Sequence, residues 1–257
     1  MIKVNSLFLF FGVEMKYSAL MLLLFLSCCT CVQAQHEVLL HGKNGLAIVN
    51  KAGETTWQMP FGGIHDIHVL ENGNIMVQRN MHEIVEIDRQ SKKIVWSYNS
   101  RTENGNQGKA LEVHAFQPLG NGNVMIAESG VGRIIEVNRD GEIVKETKLV
   151  VDASHPHRDT RLARKIKNGN YLVAHEGDGK IREYDFDSGK VIWTYNVPLT
   201  QERAGGHGPQ AYGNQAFSAV RLENGNTLIG CGNGHVVLEV TPQNKIVWKL
   251  TQKELAG

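Results

Sequence analysis

Leu70-Glu71-Asn72-Gly73-Asn74-Ile75-Met76-Val77 returns three times, as Leu119-Gly120-Asn121-Gly122-Asn123-Val124-Met125-Ile126, Ile166-Lys167-Asn168-Gly169-Asn170-Tyr171-Leu172-Val173 and Leu222-Glu223-Asn224-Gly225-Asn226-Thr227-Leu228-Ile229. Asn-Gly between two alternating apolar runs is the strongest short-range hairpin signal. The turn expected is type I′, with positive φ at both central residues. The turns start at residues 72, 121, 168 and 224, so the spacings are 49, 47 and 56 residues. Self-similarity at such a period means one supersecondary unit repeated along the chain.

A second motif follows each turn. Ile84-Val85-Glu86-Ile87-Asp88 leads to Lys93-Ile94-Val95-Trp96, and Arg133-Ile134-Ile135-Glu136-Val137-Asn138 leads to Gly141-Glu142-Ile143-Val144-Lys145. Ile181-Arg182-Glu183-Tyr184-Asp185 and Val237-Leu238-Glu239-Val240 lead likewise to Trp193 and Trp248. From turn asparagine to this last position the count is 24, 24, 25 and 24 residues, room for four strands and three short turns. No helical periodicity intervenes, so the unit is a four-stranded antiparallel blade and the chain an all-β propeller. All four tryptophans, with Trp57, share this register, and only Lys145 departs from it. Their expected role is packing between neighbouring blades. Asn104-Gly105-Asn106 lies only 17 residues before Asn121 and belongs to a loop.

Residues 36–61 form a partial copy lacking the innermost strand, and the sequence stops shortly after Trp248. About five blades of an expected six are therefore read here, in a single domain at 35–257 that is truncated at its C-terminus. An open ring would expose strand edges, which propellers normally avoid. Ahead of that domain, Lys16 and the apolar run Ala19 to Ser27 lead to Val32-Gln33-Ala34, the form of a secretory signal peptide over 1–34, with 1–14 read as an upstream mis-start. The apolar run is too short to span a membrane. Cleavage near Ala34 would leave an extracytoplasmic protein, periplasmic or secreted; a lipid anchor at Cys28 is the rival reading. Of 4 cysteines only Cys231 then remains, so no internal disulfide and no cysteine-based zinc site can form. Lys+Arg 27 against Asp+Glu 26 gives no basic excess for nucleic acid. The expected state is a monomer.

Strand polarity sorts the histidines. With the Asn-Gly turns on one face, His41, His82, His175 and His235 fall in turns on the other. His65, His114, His155, His157 and His207 join them from connections or first-strand starts, nine of 11 in all. Seven residues before each turn asparagine stand His65, His114, Arg161 and Phe217. The first three would ring a central channel mouth, with Arg158, Gln210 and Asn214 on the long connections above it. Loops over a rigid scaffold are where functional groups gather. The ligand-binding candidates are thus His65, His114, His157, Arg158, Arg161 and His207. The catalytic candidates are His114, His175 and His207, with Glu128 and Glu176 as acid–base residues. A divalent metal would draw on His65, His114, His157 and His207 as neutral imidazoles from separate segments. His155-Pro156-His157-Arg158-Asp159 is the densest polar stretch.

The pattern Glu86-Ile87-Asp88, with Gly189-Lys190-Val191-Ile192-Trp193-Thr194-Tyr195, resembles the repeat of the PQQ-like (quinoprotein alcohol dehydrogenase-like) β-propeller superfamily over nearly all of 36–250. His65-Asp66-Ile67-His68 ahead of the Asn-Gly-Asn turns gives a weaker resemblance to arylsulfotransferase-type propellers. Quinoprotein dehydrogenases of the first family hold their quinone beside a vicinal disulfide and calcium; a single mature cysteine excludes that disulfide, and PQQ is not expected. Fold alone leaves three functions open. One is binding of a small polar or carbohydrate-like ligand at the His/Arg-rich mouth. Another is an enzyme: either sulfuryl transfer, which the second resemblance implies with His114 or His207 as nucleophile and Arg161 on the sulfate oxygens, or metal-assisted lyase or hydrolase chemistry on a sugar. The third is a protein-interaction scaffold.

Overall fold

The computed structural model describes residues 36–42, 45–62, 65–152, 154–198, 216–232, 236–251 and 254. The signal-peptide segment, with Cys28 and Ala34, lies outside them, as do His207, Gln210, Asn214 and His235.

The described chain is all-β. Three strands, β1 (Val38–Gly42), β2 (Gly45–Val49) and β3 (Thr55–Met59), make one small sheet in sequence order. Four blades follow, each a four-stranded antiparallel meander. The first holds β4 (Ile67–Val69), β5 (Ile75–Gln78), β6 (Glu83–Ile87) and β7 (Ile94–Asn99). The second holds β8 (Glu112–Pro118), β9 (Val124–Ser129), β10 (Arg133–Val137) and β11 (Ile143–Lys148). The third holds β12 (Leu162–Lys165), β13 (Tyr171–His175), β14 (Lys180–Tyr184) and β15 (Val191–Asn196). In the fourth are β16 (Ala216–Arg221), β17 (Thr227–Cys231), β18 (Val236–Val240) and β19 (Ile246–Thr251).

Burial shows why these segments read as near-continuous apolar runs. Every residue of β5, β6, β9 and β13 is buried, because each sheet packs on both faces. The core lies between blades. Met76, Ile84 and Tyr98 meet Val113, Phe116, Ile126 and Ile135 across the first junction. Met125, Ile134 and Leu149 meet Tyr171, Val173 and Tyr184 across the second, and Leu172, Ile181 and Tyr195 meet Ala219, Ile229 and Leu238 across the third. Free Cys231 is buried in that last junction, where burial pushes its thiol up to about 11.

The Asn-Gly turns differ from the expected type I′. Only the glycine has positive φ, at 83° (Gly73), 88° (Gly122), 91° (Gly169) and 84° (Gly225). Gly73 N–H donates to the Leu70 carbonyl at 2.9 Å and Leu70 N–H to the Asn74 carbonyl at 2.8 Å, a type I turn closed by a left-handed glycine. The first asparagine is kept for its side chain: Asn72 Oδ1 accepts the Asn74 N–H at 3.0 Å, and the other three turns repeat this.

The Glu of each third strand has a common place. Glu86, Glu136, Glu183 and Glu239 sit at register shifts against the fourth strand, opposite Trp96, Lys145, Trp193 and Trp248. Such bulges re-aim side chains. Here the carboxylates take Nδ2–H bonds from the last turn asparagine, Asn74, Asn170 and Asn226, at 2.7, 2.8 and 2.6 Å. Three of them also take a cation from the next blade: Arg139 for Glu86, Lys165 for Glu136 and Arg221 for Glu183. Glu136 receives the Tyr171 hydroxyl as well, at 2.6 Å.

Tryptophan completes the junctions. Trp96 Nε1–H donates to the Arg139 carbonyl at 2.8 Å, and Trp193 Nε1–H to the Pro242 carbonyl at 2.9 Å, each in the following blade's last turn. Arg139 stacks over Trp96, 4.6 Å from the ring centre. Lys145 departs from the pattern because its partner does: the residue facing it is Phe186, and Lys145 Nζ lies 4.5 Å from that ring centre. Cation and aromatic have exchanged sides across the junction.

Candidate functional site

The first strands of successive blades converge, and the site grows from the residues that open them. His65 precedes β4 with a φ of 66°, a left-handed backbone that few histidines adopt. Its neighbour Asp66 anchors that start. Asp66 accepts both arms of the Arg164 guanidinium at 2.7 and 2.8 Å and the Phe116 N–H at 3.1 Å. Burial acts most strongly on Asp66 and raises its pKa, but the hydrogen bonds from His68 and Arg164 outweigh it and leave the net shift downward. Three blades are thereby tied at one point.

Equivalence by sequence becomes contact in space. His114 Nδ1 lies 3.2 Å from His65 Nε2, with the rings edge-on at 81°. Arg161 Nη1 is 3.5 Å from His114 Nδ1, and its guanidinium sits 5.1 Å from the Phe217 ring centre. Phe217 keeps 42% of its surface exposed. It can lie there because Gly232 lacks a side chain: a Cβ at that position would fall 2.8 Å from the ring. Arg161 is itself bound through Nε to Glu176, which follows β13.

The third imidazole-bearing element is the loop 154–159. Asp159, buried, accepts the His155 N–H at 2.5 Å and the Gly130 N–H and Ser154 hydroxyl at 2.9 Å. Gly130 has φ 87°, and a Cβ there would stand 2.4 Å from the Ala110 carbonyl and 2.9 Å from Pro156. This clamp presents His157 to Glu112, Nδ1 to Oε2 at 2.7 Å, and the His157 and His114 ring centres are 5.1 Å apart. Glu112 Oε2 also lies 3.0 Å from His114 Nε2. The angle is not that of a hydrogen bond, so the buried Nε2 has no hydrogen-bond partner.

Burial and neighbouring charge favour the neutral form of His114 and His65. Burial first, then His65, Arg161 and His157, push the His114 pKa down to about 2, against a smaller opposing effect of the Pro156 carbonyl. The His65 pKa is also lowered, by the burial of its inner side and then by Arg161 and His157. Neutral imidazoles accept hydrogen bonds and bind metals, which imidazolium cannot do.

Arg158 lies in the clamped loop, its carbonyl taking the Gly177 N–H at 2.9 Å. His175 has no exposed surface. Its Nδ1–H donates to the Asp159 carbonyl at 2.7 Å, and Nε2 lies 2.9 Å from the Tyr184 hydroxyl, so both nitrogens are committed within the blade. Burial, with Arg182 second, lowers its pKa to about 4. Glu128 is fully buried between Arg133 Nε at 2.6 Å and Asn106 Nδ2 at 2.9 Å. Glu112 was not among the candidates. Its signal is the Glu112-Val113-His114 spacing, although a register shift at His114 breaks the regular alternation of β8.

The family described as outer membrane protein assembly factor BamB matches residues 42–257. No curated protein matches the sequence. Among solved structures, a Bacteroides caccae protein of unknown function superposes with TM-score 0.66 at 22% identity, over 87% of this chain and 76% of that one. Virginiamycin B lyase from Staphylococcus aureus superposes with TM-score 0.56 at 14% identity, over 86% and 68%. The WD40 propeller domain of Doa1 gives 0.55 at 12%, over 80% and 60%. At such identities the likeness is one of fold.

Proposed function

The chain belongs to the PQQ-like β-propeller family represented by BamB, and we propose that this member is an extracytoplasmic binding propeller. Its ligand is a small, hydroxyl-bearing, carbohydrate-like molecule held where the inner strands begin. One observation carries this reading: His65, His114, Arg161 and Phe217, equivalent positions of four blades, meet in a single chain of contacts. Repeated folds place equivalent positions around a common axis, but nothing in packing requires those positions to be polar. Imidazole and guanidinium supply directional hydrogen bonds to hydroxyl or carboxylate groups. The exposed Phe217 ring offers an apolar face of the kind a sugar ring covers. The signal-like run Ala19 to Ser27 supports the compartment.

Calorimetric titration with cellobiose and digalacturonate, a neutral and an acidic disaccharide, tests the site. Binding of either should weaken at least about tenfold in Phe217→Ala and in His65→Ala, a loss of about 1.4 kcal/mol each. Binding that survives both substitutions unchanged places the ligand elsewhere. If neither sugar binds while a partner protein does, the scaffold role attached to the family's name becomes the better reading.

A further inference from the structure

We propose that Glu112, His114 and His157 form a binding site for one divalent first-row metal ion of the zinc class. The site belongs to the ligand mouth described above and rests on that assignment only for its location. Oε2 of Glu112, Nε2 of His114 and a ring nitrogen of His157 all lie within 4.8 Å of one another. Zinc takes imidazole nitrogen and carboxylate oxygen at about 2.0–2.2 Å, so neighbouring ligands around a tetrahedral ion stand about 3.3 Å apart. The present separations of 3.0 Å and 2.7 Å from Glu112 Oε2 have to open by a few tenths of an ångström, and the remaining pair, His114 with His157 within 4.8 Å, has to settle at the same spacing.

An independent observation points to a missing partner. His114 is 2% exposed, yet its Nε2 makes no hydrogen bond, although Glu112 Oε2 lies only 3.0 Å away. Buried polar atoms without a partner are rare and call for an explanation such as an ion. The opposite nitrogen has what a metal-bound histidine needs. Nδ1 lies 3.2 Å from His65 Nε2, and the tautomer in which Nδ1–H donates to it leaves the Nε2 lone pair free for a metal. His65 is then an orienting residue and not a ligand. The nearby positive charge of Arg161 is offset by its pair with Glu176. Glu112 and His157 keep partly exposed side chains, so the coordination positions left by three protein ligands face solvent. Binding displaces the Glu112–His157 hydrogen bond and releases any proton on the bound His157 nitrogen.

The test is titration of the untagged, chelator-treated mature chain with Zn2+ by calorimetry and with Co2+ by visible absorption. One Zn2+ per chain is expected, with Co2+ bands of a nitrogen–oxygen site. Glu112→Gln and His157→Ala should each weaken Zn2+ binding more than tenfold, while far-UV circular dichroism and thermal midpoint stay near the parent's. Both side chains are partly exposed, so these variants spare the core that His114→Ala would disturb. Sub-stoichiometric Zn2+ uptake, or uptake indifferent to both substitutions, overturns the proposal. Repeating the cellobiose and digalacturonate titrations with and without Zn2+ separates the two readings: sugar binding without a metal site leaves the binding propeller standing, and a metal site without sugar binding does the reverse.

Discussion

Acidification from pH 7 to pH 5 destabilises the folded state through His175, and the substitution His175→Gln isolates that share. In the unfolded chain the imidazole has its ordinary pKa of 6.5; in the fold, burial and Arg182 lower it to about 4. Between those values the unfolded state holds a proton that the folded state lacks. The neutral form's stabilisation is therefore complete above pH 6.5 and is lost progressively as pH falls toward 4. Integrated to pH 5, the loss is about 2 kcal/mol, and it approaches about 3 kcal/mol once pH falls below the folded value. Glutamine can keep both hydrogen bonds, its amide donating to the Asp159 carbonyl and its oxygen accepting from Tyr184, without carrying a proton. Guanidinium unfolding curves of both proteins at pH 7, 6 and 5 and constant ionic strength measure the difference. His65 and His114 titrate in both proteins and cancel. The parent should lose about 2 kcal/mol more than His175→Gln between the two ends. Equal losses would refute the reasoning, because they would mean that His175 is protonated as easily inside the blade as outside it.

The blade junctions make a graded prediction. Trp96→Ala removes a hydrogen bond, the stack on Tyr98 and the Arg139 contact, and should cost about 2–3 kcal/mol in denaturant unfolding. Lys145→Ala, at the equivalent position, removes the contact to Phe186 and a weak attraction to Asp185, and should cost about 0.5–1 kcal/mol. Gly130→Ala combines a left-handed φ with a contact against the Ala110 carbonyl and should cost at least about 2 kcal/mol. Because Pro156 sits in the same contact, that variant should also displace His157, seen as faster proteolysis of the 154–159 loop and as shifted His157 ring signals in NMR.

The architecture was legible because Asn-Gly and Trp recur at fixed separations, and separation along the chain is what a meander preserves in space. Turn type was not legible: Asn72 could have supplied positive φ, but its side chain gains more by capping Asn74, and the dipeptide alone does not show which. Glu86 and its equivalents were visible as a motif without a role. Their cations come from a turn (Arg139) or from an inner strand (Lys165, Arg221), at no constant spacing. At the site, alignment on the turns picked out His65, His114 and Arg161, since equivalent strand positions point the same way. Glu112 lay two residues from His114, but the alternation is broken by a register shift in β8 between Val113 and Ala115. His175 read as reactive because its position faces the same end of the blade; its partners Tyr184 and the Asp159 carbonyl are set by tertiary packing alone.

The exchange of Lys145 and Phe186 bears on how such a chain can be built or rebuilt. If every junction used the same pair, blades could be duplicated, deleted or permuted without penalty at their borders. Here Trp96 needs an Arg139-like turn after it, while Lys145 needs an aromatic one. A blade ending in Lys145 placed before a turn carrying Arg139 would set two cations against each other. The border that carries Lys145 thus distinguishes its successor from the turns that follow Trp96 and Trp193, and part of the order of the repeats is written into the sheets themselves as well as into the connections between them.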